Sequence, residues 1–336
     1  MPLVALTIAG SDPSGGAGLQ ADLKTFHQLG VYGEAVVTLI TVQNTMRVSR
    51  VEVLPAALVI EQLEAVLEDI PPAAAKTGAL GSAEMVEAVA RAAEAFRFPL
   101  VVDPVMVSKH GAPLLPESAA RAVRELLLPR ATLVTPNLPE AEALTGIAIR
   151  GIEDMRAAAL RIHEMGARAV LIKGGHLENE ATDLLFDGAG WREFPAPRIP
   201  TRHTHGTGCT YSAAITAGLA RGLPLDDAVA RAKLFIQAAI QTNPGLGQGS
   251  GPVNHHAEVS WNPMTKVQIR FRLSKPLDSV LLPRIAQAHA VYGIERVTLA
   301  PSLDSVTVEY DATRLNPAEV ESALTGVGIP IAPELA

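Results

Sequence analysis

Short apolar, β-branched stretches alternate with amphipathic helical stretches along most of this chain, and that alternation leaves few folds open. Leu3–Ala9, Val36–Thr41, Ala73–Lys76, Pro99–Val102, Ala131–Thr135 and Arg168–Ile172 read as buried strands. Leu19, Leu23, Phe26 and Leu29 recur at helical spacing. Pro55–Ile70, Ser82–Phe96, Glu117–Leu128, Glu140–Leu144, Ile152–Met165 and Asp226–Thr242 give further helices. Thr182–Phe186 and Trp191–Pro195 form a hairpin around Asp187-Gly188. Strands that alternate with helices predict an α/β fold with a mainly parallel sheet covered on both faces.

The polar residues sit at one rim of that sheet. Asp103, Asn137, Lys173 and the turn Gly206-Thr207-Gly208-Cys209 all follow strands or lie in loops on that side. In open α/β sheets ligands bind at the carboxyl ends of the strands. The turn before the apolar helix from Thr210 is the most informative of these loops. Amide N–H groups at a helix start lack partners and the dipole is positive there, so an anion is accepted. Cys209, the single cysteine of the chain, stands at that start, where a thiolate is stabilised. Taken alone, the same turn reads equally as an ordinary glycine turn beside a small buried Cys.

A length of 336 residues suits one large and one small domain. The net charge of −7 provides no footprint for nucleic acid, so bound phosphates need local donors. One cysteine excludes an intrachain disulfide and points to a reducing compartment. Leu3–Gly10 is too short to span a bilayer and lacks a charged leader, so a cytoplasmic protein without membrane contact is expected.

Gly245–Pro252, with glycine at every second position up to Gly251, reads as irregular chain or a linker. Asn254-His255-His256 reads as a solvated loop, because no acidic cluster accompanies the histidines. A second module spans 264–336. Val267, Ile269, Phe271 and Leu273 alternate with polar residues as a strand, and Leu281–Tyr292 follows as a helix. Arg296–Leu299 and Ser305–Tyr310 are strands, Asn316-Pro317-Ala318-Glu319 opens a helix, and Ile329–Ala332 closes the module. The order β-α-β-β-α-β is that of a ferredoxin-like sandwich.

No P-loop, nucleophile elbow or zincin helix occurs. Phosphoryl transfer needs an anion hole, a cation and a proton acceptor. Gly206–Cys209 supplies the first. Asp103, Asn137 and Glu140 can order Mg²⁺ mostly through water, Lys173 can neutralise a phosphate, and Cys209 can take a proton if the helix start lowers its pKa.

Ala9–Phe26, Val42-Gln43-Asn44-Thr45, Lys76-Thr77-Gly78, Asp103-Pro104-Val105-Met106, Thr135–Glu142, Lys173-Gly174-Gly175-His176, His205–Cys209 and Gly249–His255 together resemble the hydroxymethylpyrimidine/phosphomethylpyrimidine kinases of thiamine biosynthesis. The resemblance covers residues 1–258 and makes the glycine-rich segment part of the enzyme. It implies a ribokinase-like three-layer α/β/α sandwich and a homodimer. ATP would phosphorylate the hydroxymethyl group of a small pyrimidine and then the resulting monophosphate. It implies that Asp22 and Gln43 contact the pyrimidine, that Cys209 is the base, that Lys173, Thr207 and Gly208 hold ATP phosphates, and that Asn137 and Glu140 lie near Mg²⁺. A vitamin B6 kinase is the alternative within the superfamily, and a degenerate ligand sensor the alternative outside enzymes. The second module resembles heavy-metal-associated domains but lacks Cys-x-x-Cys in Leu273–Asp278, leaving a regulatory or dimerising appendage.

Overall fold

The structure is a computed structural model that describes residues 3–106, 116–174, 181–259, 266–275, 282–289, 291, 294–300, 302–311 and 315–332. By its contacts the chain divides into Met1–Val259 and Ser260–Ala336.

In the first unit the strands are β1 Val4–Ser11, β2 Tyr32–Gln43, β3 Val48–Val53, β4 Ala74–Thr77, β5 Leu100–Val102, β6 Leu133–Val134, β7 Val170–Ile172, β8 Asp183–Phe186 and β9 Trp191–Phe194. The helices are α1 Gly18–Gln28, α2 Ala56–Asp69, α3 Ala83–Ala92, α4 Glu117–Ala122, α5 Leu138–Thr145, α6 Ile152–Glu164, α7 Thr207–Ala220 and α8 Leu225–Gln241. The sheet order is β3-β2-β1-β4-β5-β6-β7-β8-β9. Pairs from β2 through β1 to β7 are parallel, while the edge pairs β2–β3, β7–β8 and β8–β9 are antiparallel. The central strands are buried on both faces because helices cover both: β1 from Val4 to Gly10, and β4, β5 and β7 throughout, mostly with apolar residues apart from Thr7, Lys76 and Thr77.

Local chemistry explains the boundaries. Ser82 caps α3 by accepting the Met85 N–H. Asn137 and Glu140 form a reciprocal capping box at α5, and Gly146 ends that helix in the left-handed region. Gly188 (φ 89°) turns the β8–β9 hairpin, with the Asp187 carboxylate accepting the Ala189 and Gly190 N–H groups. The helix expected over Glu117–Leu128 is regular only to Ala122, and then widens into a π-type turn over Val123–Leu127. Strand β3 was not expected from the sequence. Its Val-Ser-Arg-Val-Glu-Val pattern pairs with β2 across a tight turn in which Asn44 Oδ1 accepts the Met46 and Arg47 N–H groups.

Glycine-rich 245–252 is packed chain. Gly247 and Gly249 lie against Thr45 with no room for a Cβ, and Ser250 N–H donates to the Thr45 carbonyl at 2.8 Å. His205 bridges Pro252. His255 is buried rather than solvated, and burial pushes its imidazole down to about 4, whereas His256 is exposed.

The second unit has β10 Lys266–Arg272, α9 Leu282–His289, β11 Ile294–Leu299, β12 Ser305–Asp311 and α10 Pro317–Gly326, with antiparallel sheet order β10-β12-β11. Val306, Val308, Val297, Val320, Leu324 and Ile329 form its core. The expected last strand shrinks to a single bridge, Leu273 to Ile331, because Pro330 has no N–H to donate. The loop residues 276–278 and the helix ends at Leu281 and Tyr292 lie outside the described residues. Among the described residues no helix is long and apolar enough to cross a membrane. Leu324 is fully buried, so Leu324→Ala is expected to destabilise the second unit by about 2–5 kcal/mol. Faster hydrogen exchange at Val306 and Val308 checks this; unchanged protection there contradicts it.

Candidate functional site

The rim at the carboxyl ends of the strands encloses a cavity of about 790 Å³. Its wall contains Gln43, Asp103, Asn137, Glu140, Lys173 and the whole turn Gly206-Thr207-Gly208-Cys209.

One end is built by two glycine-rich loops in contact. Gly206 precedes α7 with φ 80°. A Cβ there would stand 1.7 Å from the Gly16 carbonyl oxygen, so only glycine lets the loops meet. Asp12 ties them. Its carboxylate accepts N–H groups of Ser14, Gly16 and Ala17, the Ser14 hydroxyl, and His205 Nε2 at 2.8 Å. Burial opposes its ionisation, but the His205 and Ser14 hydrogen bonds prevail and hold it below the ordinary value. The His205 backbone is held in turn by Gly251 and Val253. Gly206 provides no side-chain cap; the Thr207 N–H donates to the Thr204 carbonyl at 3.3 Å, and the Gly208 and Cys209 amides that follow keep their anion-accepting capacity beside the cavity.

The opposite wall carries buried charge. Lys173 Nζ lies 2.9 Å from Asp103 Oδ1, and Asp103 also accepts from Thr135 and Ser212. Lys173 Nζ is 3.3 Å from where a Gly208 Cβ would be, so the missing side chain at Gly208 lets the lysine reach the helix start. Burial works against both charges, yet each sustains the other: the Asp103 carboxyl is held low and the Lys173 ammonium high. Among the described residues Glu140 has no such partner of its own. Burial pushes its carboxyl up to about 7, Lys173 opposes this and the Asp103 charge adds to it.

Two expected residues behave differently from their sequence reading. Asp22 lies behind the wall, fully buried. Its Oδ1 is 2.8 Å from Lys76 Nζ and its Oδ2 accepts the Thr7 hydroxyl at 2.6 Å. Both oxygens are engaged by this pair, and Asp22 does not line the cavity. Cys209 is on the wall and half-buried, but the helix start does not lower its pKa. Burial pushes the thiol up to about 12, with the Asp22 and Asp103 charges adding to the rise and Lys76 and the Gly18 backbone opposing it. Gly175 and His176 lie outside the described residues.

Sequence reading missed a further part of the cavity. Asp183, at the start of β8, pairs with Lys233 of α8 at 2.7 Å and accepts the Gly174 N–H, closing the wall beside Ala181, Pro197, Ile199, Ile236 and Ile240. This apolar stretch suits a flat base. No motif marks a pair separated by 50 residues.

A mainly parallel sheet between helical layers, with a helix start and a lysine meeting at its strand-end rim, defines a ribokinase-like α/β kinase fold. More narrowly, the chain belongs to the phosphomethylpyrimidine kinase family, whose model matches residues 12–254. It is 48% identical over 256 residues to the hydroxymethylpyrimidine/phosphomethylpyrimidine kinase of Bacillus subtilis strain 168, covering 75% of this chain and 94% of that one. It is 54% identical over 252 residues to the thiamine biosynthesis bifunctional protein ThiED of Geobacter sulfurreducens, covering 74% of this chain and 51% of that protein, so it spans about half of that relative's length. Among solved structures, pyridoxal kinase from Staphylococcus aureus with AMP-PCP and pyridoxal is 41% identical with a TM-score of 0.71, over 76% of this chain and 94% of that one. Phosphomethylpyrimidine kinase from Clostridium difficile 630 is 44% identical with a TM-score of 0.64, over 71% and 99%.

Two outcomes follow from the buried charges. Lys76→Met strands the Asp22 carboxylate and should cost about 3–5 kcal/mol in urea unfolding, with Asp22→Asn in the same chain restoring part of the loss. An unchanged midpoint for Lys76→Met contradicts the pairing. For Glu140 the folded pKa lies above the unfolded one, so the folded state holds the extra proton. That contribution is complete below the unfolded value and is lost as pH rises through about 7. Glu140→Gln keeps the capping box but cannot ionise. The melting temperature of the native protein relative to this variant should therefore fall between pH 5 and about 7; parallel profiles contradict the assignment.

Proposed function

We propose that this protein is an ATP-dependent kinase of thiamine biosynthesis that phosphorylates a hydroxymethylpyrimidine and then the resulting monophosphate. The observation that carries the reading is that a single cavity joins a phosphate end, formed by Gly206–Cys209 and Lys173, to a pocket holding Gln43. The names of the relatives, at 48–54% identity, support the same substrate class.

In this reading the amides at the α7 start and Lys173 hold the transferring phosphoryl group as negative charge develops on its oxygens. The apolar wall at Ile199, Ile236 and Ile240 takes the adenine, and Gln43 faces the pyrimidine. Among the described residues no three His, Cys, Asp or Glu side chains cluster to cage a metal. The donors present are Glu140, raised to about 7, Asp103 and Asn137. They fit Mg²⁺ held mainly through water and nucleotide phosphate. Bound there, Mg²⁺ would neutralise phosphate charge.

Cys209 is assigned to the acceptor hydroxyl. With its pKa near 12 it rests as a thiol. In a loose transition state the acceptor proton leaves late. That proton then passes to Sγ as the S–H proton passes to a phosphoryl oxygen, and no resting thiolate is needed.

A vitamin B6 kinase is the second reading, favoured by the S. aureus pyridoxal kinase bound to pyridoxal. Homodimerisation is supported by Ile40 and Val42, exposed together on β2, and Met46 beside them. A cytoplasmic location is part of the same reading. The second unit, whose sequence contains no cysteine, is assigned a regulatory or dimerising role with heavy-metal-associated topology and no thiolate metal site.

ATP turnover by the full chain on hydroxymethylpyrimidine and on pyridoxal tests the assignment. Higher kcat/KM on the pyrimidine is expected; preference for pyridoxal selects the second reading, and binding without product on either selects a sensor. Cys209→Ala is expected to lose on the order of 10²–10⁴ in kcat with ATP binding retained, and Cys209→Ser to lose less because its hydroxyl can still relay a proton. Unchanged kcat in Cys209→Ala removes Cys209 from the chemistry.

A further inference from the structure

Three side chains on the cavity wall form a chain of contacts that phosphoryl transfer does not itself require. His205 Nε2 lies 2.8 Å from Asp12 Oδ2. It also lies 3.1 Å from Gln43 Nε2. Asp12 and His205 are buried, each 3% exposed, and Gln43 is half-buried at the cavity wall.

Donor and acceptor capacities decide how these groups are arranged. The Asp12 carboxylate already collects N–H and O–H donors from Ser14, Gly16 and Ala17, so it is the charged, acceptor-only partner. The proton in the His205–Asp12 contact therefore sits on His205 Nε2. A protonated ring nitrogen has no lone pair to offer. With the Gln43 amide nitrogen facing it, two donors would oppose each other in a desolvated place. Turning the amide by 180° puts Oε1 there instead, where it accepts a share of the same proton. The oxygen and nitrogen of a glutamine are assigned from the hydrogen-bond network, and this network assigns the oxygen to His205. The Gln43 NH₂ group is then directed into the cavity.

We propose that Asp12 and His205 are positioning residues that fix the Gln43 amide with its NH₂ toward the substrate, so that the ring atom recognised there is a hydrogen-bond acceptor, an unprotonated ring nitrogen, rather than an exocyclic amine. This rests on the reading above that Gln43 faces the heterocycle. It adds the polarity of that contact and the two residues that set it. Asp12 is thereby shared between two tasks: it joins the loops that shape the phosphate end and orients the group that reads the ring.

The test is titration calorimetry of the full chain with the unphosphorylated hydroxymethyl-aminopyrimidine, and separately with ADP. Gln43→Ala should weaken pyrimidine binding about 3- to 10-fold, the worth of one hydrogen bond. Gln43→Glu is close to isosteric and can only accept, so it should weaken binding at least as much as Gln43→Ala. His205→Phe keeps a ring but removes the Nε2–H, and should weaken pyrimidine binding about 3- to 10-fold and ADP binding by a smaller factor, because the same bond also braces the start of α7. A general collapse of the turn would weaken both ligands equally. Wild-type pyrimidine affinity in Gln43→Glu means that Gln43 accepts, and overturns the proposal. Wild-type pyrimidine affinity in His205→Phe, or equal losses for both ligands, removes the positioning role. Unchanged binding in Gln43→Ala shows instead that Gln43 does not face the ring, which fails the site reading itself. If His205→Phe does not fold, Gln43→Glu, at a half-buried cavity position, decides the polarity alone.

Discussion

The Asp12 carboxylate holds the site together. It gathers amides from the loop after β1 and His205 from the loop before α7, and so fixes two segments 193 residues apart in contact. The absence of side chains at Gly16 and Gly206 lets them approach, and the hydrogen bonds to Asp12 stop them separating. The start of α7 is thereby aimed at the cavity, and Gln43 is reached through the same histidine. The segment from Gly247 to Val253 braces this arrangement from outside through Thr45 and the His205 backbone. A carboxylate with several donors in a buried place is held ionised, so the junction keeps its acceptor charge.

The remaining charges are arranged as a set waiting for partners. Asp103 and Lys173 satisfy each other, but Glu140 is left with a raised pKa and Cys209 with a thiol near 12. Moving the thiol from 9.0 to about 12 corresponds to ~4 kcal/mol in favour of the protonated form. A helix start typically contributes about 0.3–1 kcal/mol in the other direction. Desolvation and neighbouring acids therefore outweigh the dipole, and the thiol is neutral before any phosphate arrives. The buried Asp22–Lys76 pair acts on the thiol in both directions, Lys76 lowering it and Asp22 raising it, and its place is behind the wall, where it joins α1 to β4.

Much of this was legible in the sequence because it depends on period and punctuation. The strand-end placement of Asp103, Asn137 and Lys173 follows from apolar runs that stop at polar residues, whereas the helix read from Glu140 begins at Leu138 behind a capping box that the sequence reading did not include. What was not legible depends on distance in space. The resemblance implies a ligand contact for Asp22, but Lys76, 54 residues away, takes its Oδ1 and the Thr7 hydroxyl its Oδ2. Asp183 and Lys233 carry no motif. His255 reads as solvated because no acidic cluster in the sequence accompanies it, whereas its neighbours in space bury it. Strand β3 was missed because its exposed polar residues resemble a loop, and the last strand of the second unit was overread because Pro330 withholds a donor.

The central claim is that the start of α7, held by Asp12, receives the phosphates of ATP beside Lys173. Hydrogen exchange of the amides of Gly206–Cys209, with and without a non-hydrolysable ATP analogue and Mg²⁺, addresses it directly. Strong slowing of these amides on binding, lost when Lys173 is replaced by Ala at the same nucleotide concentration, is the predicted result. Saturation by nucleotide with these four amides exchanging as before would contradict it.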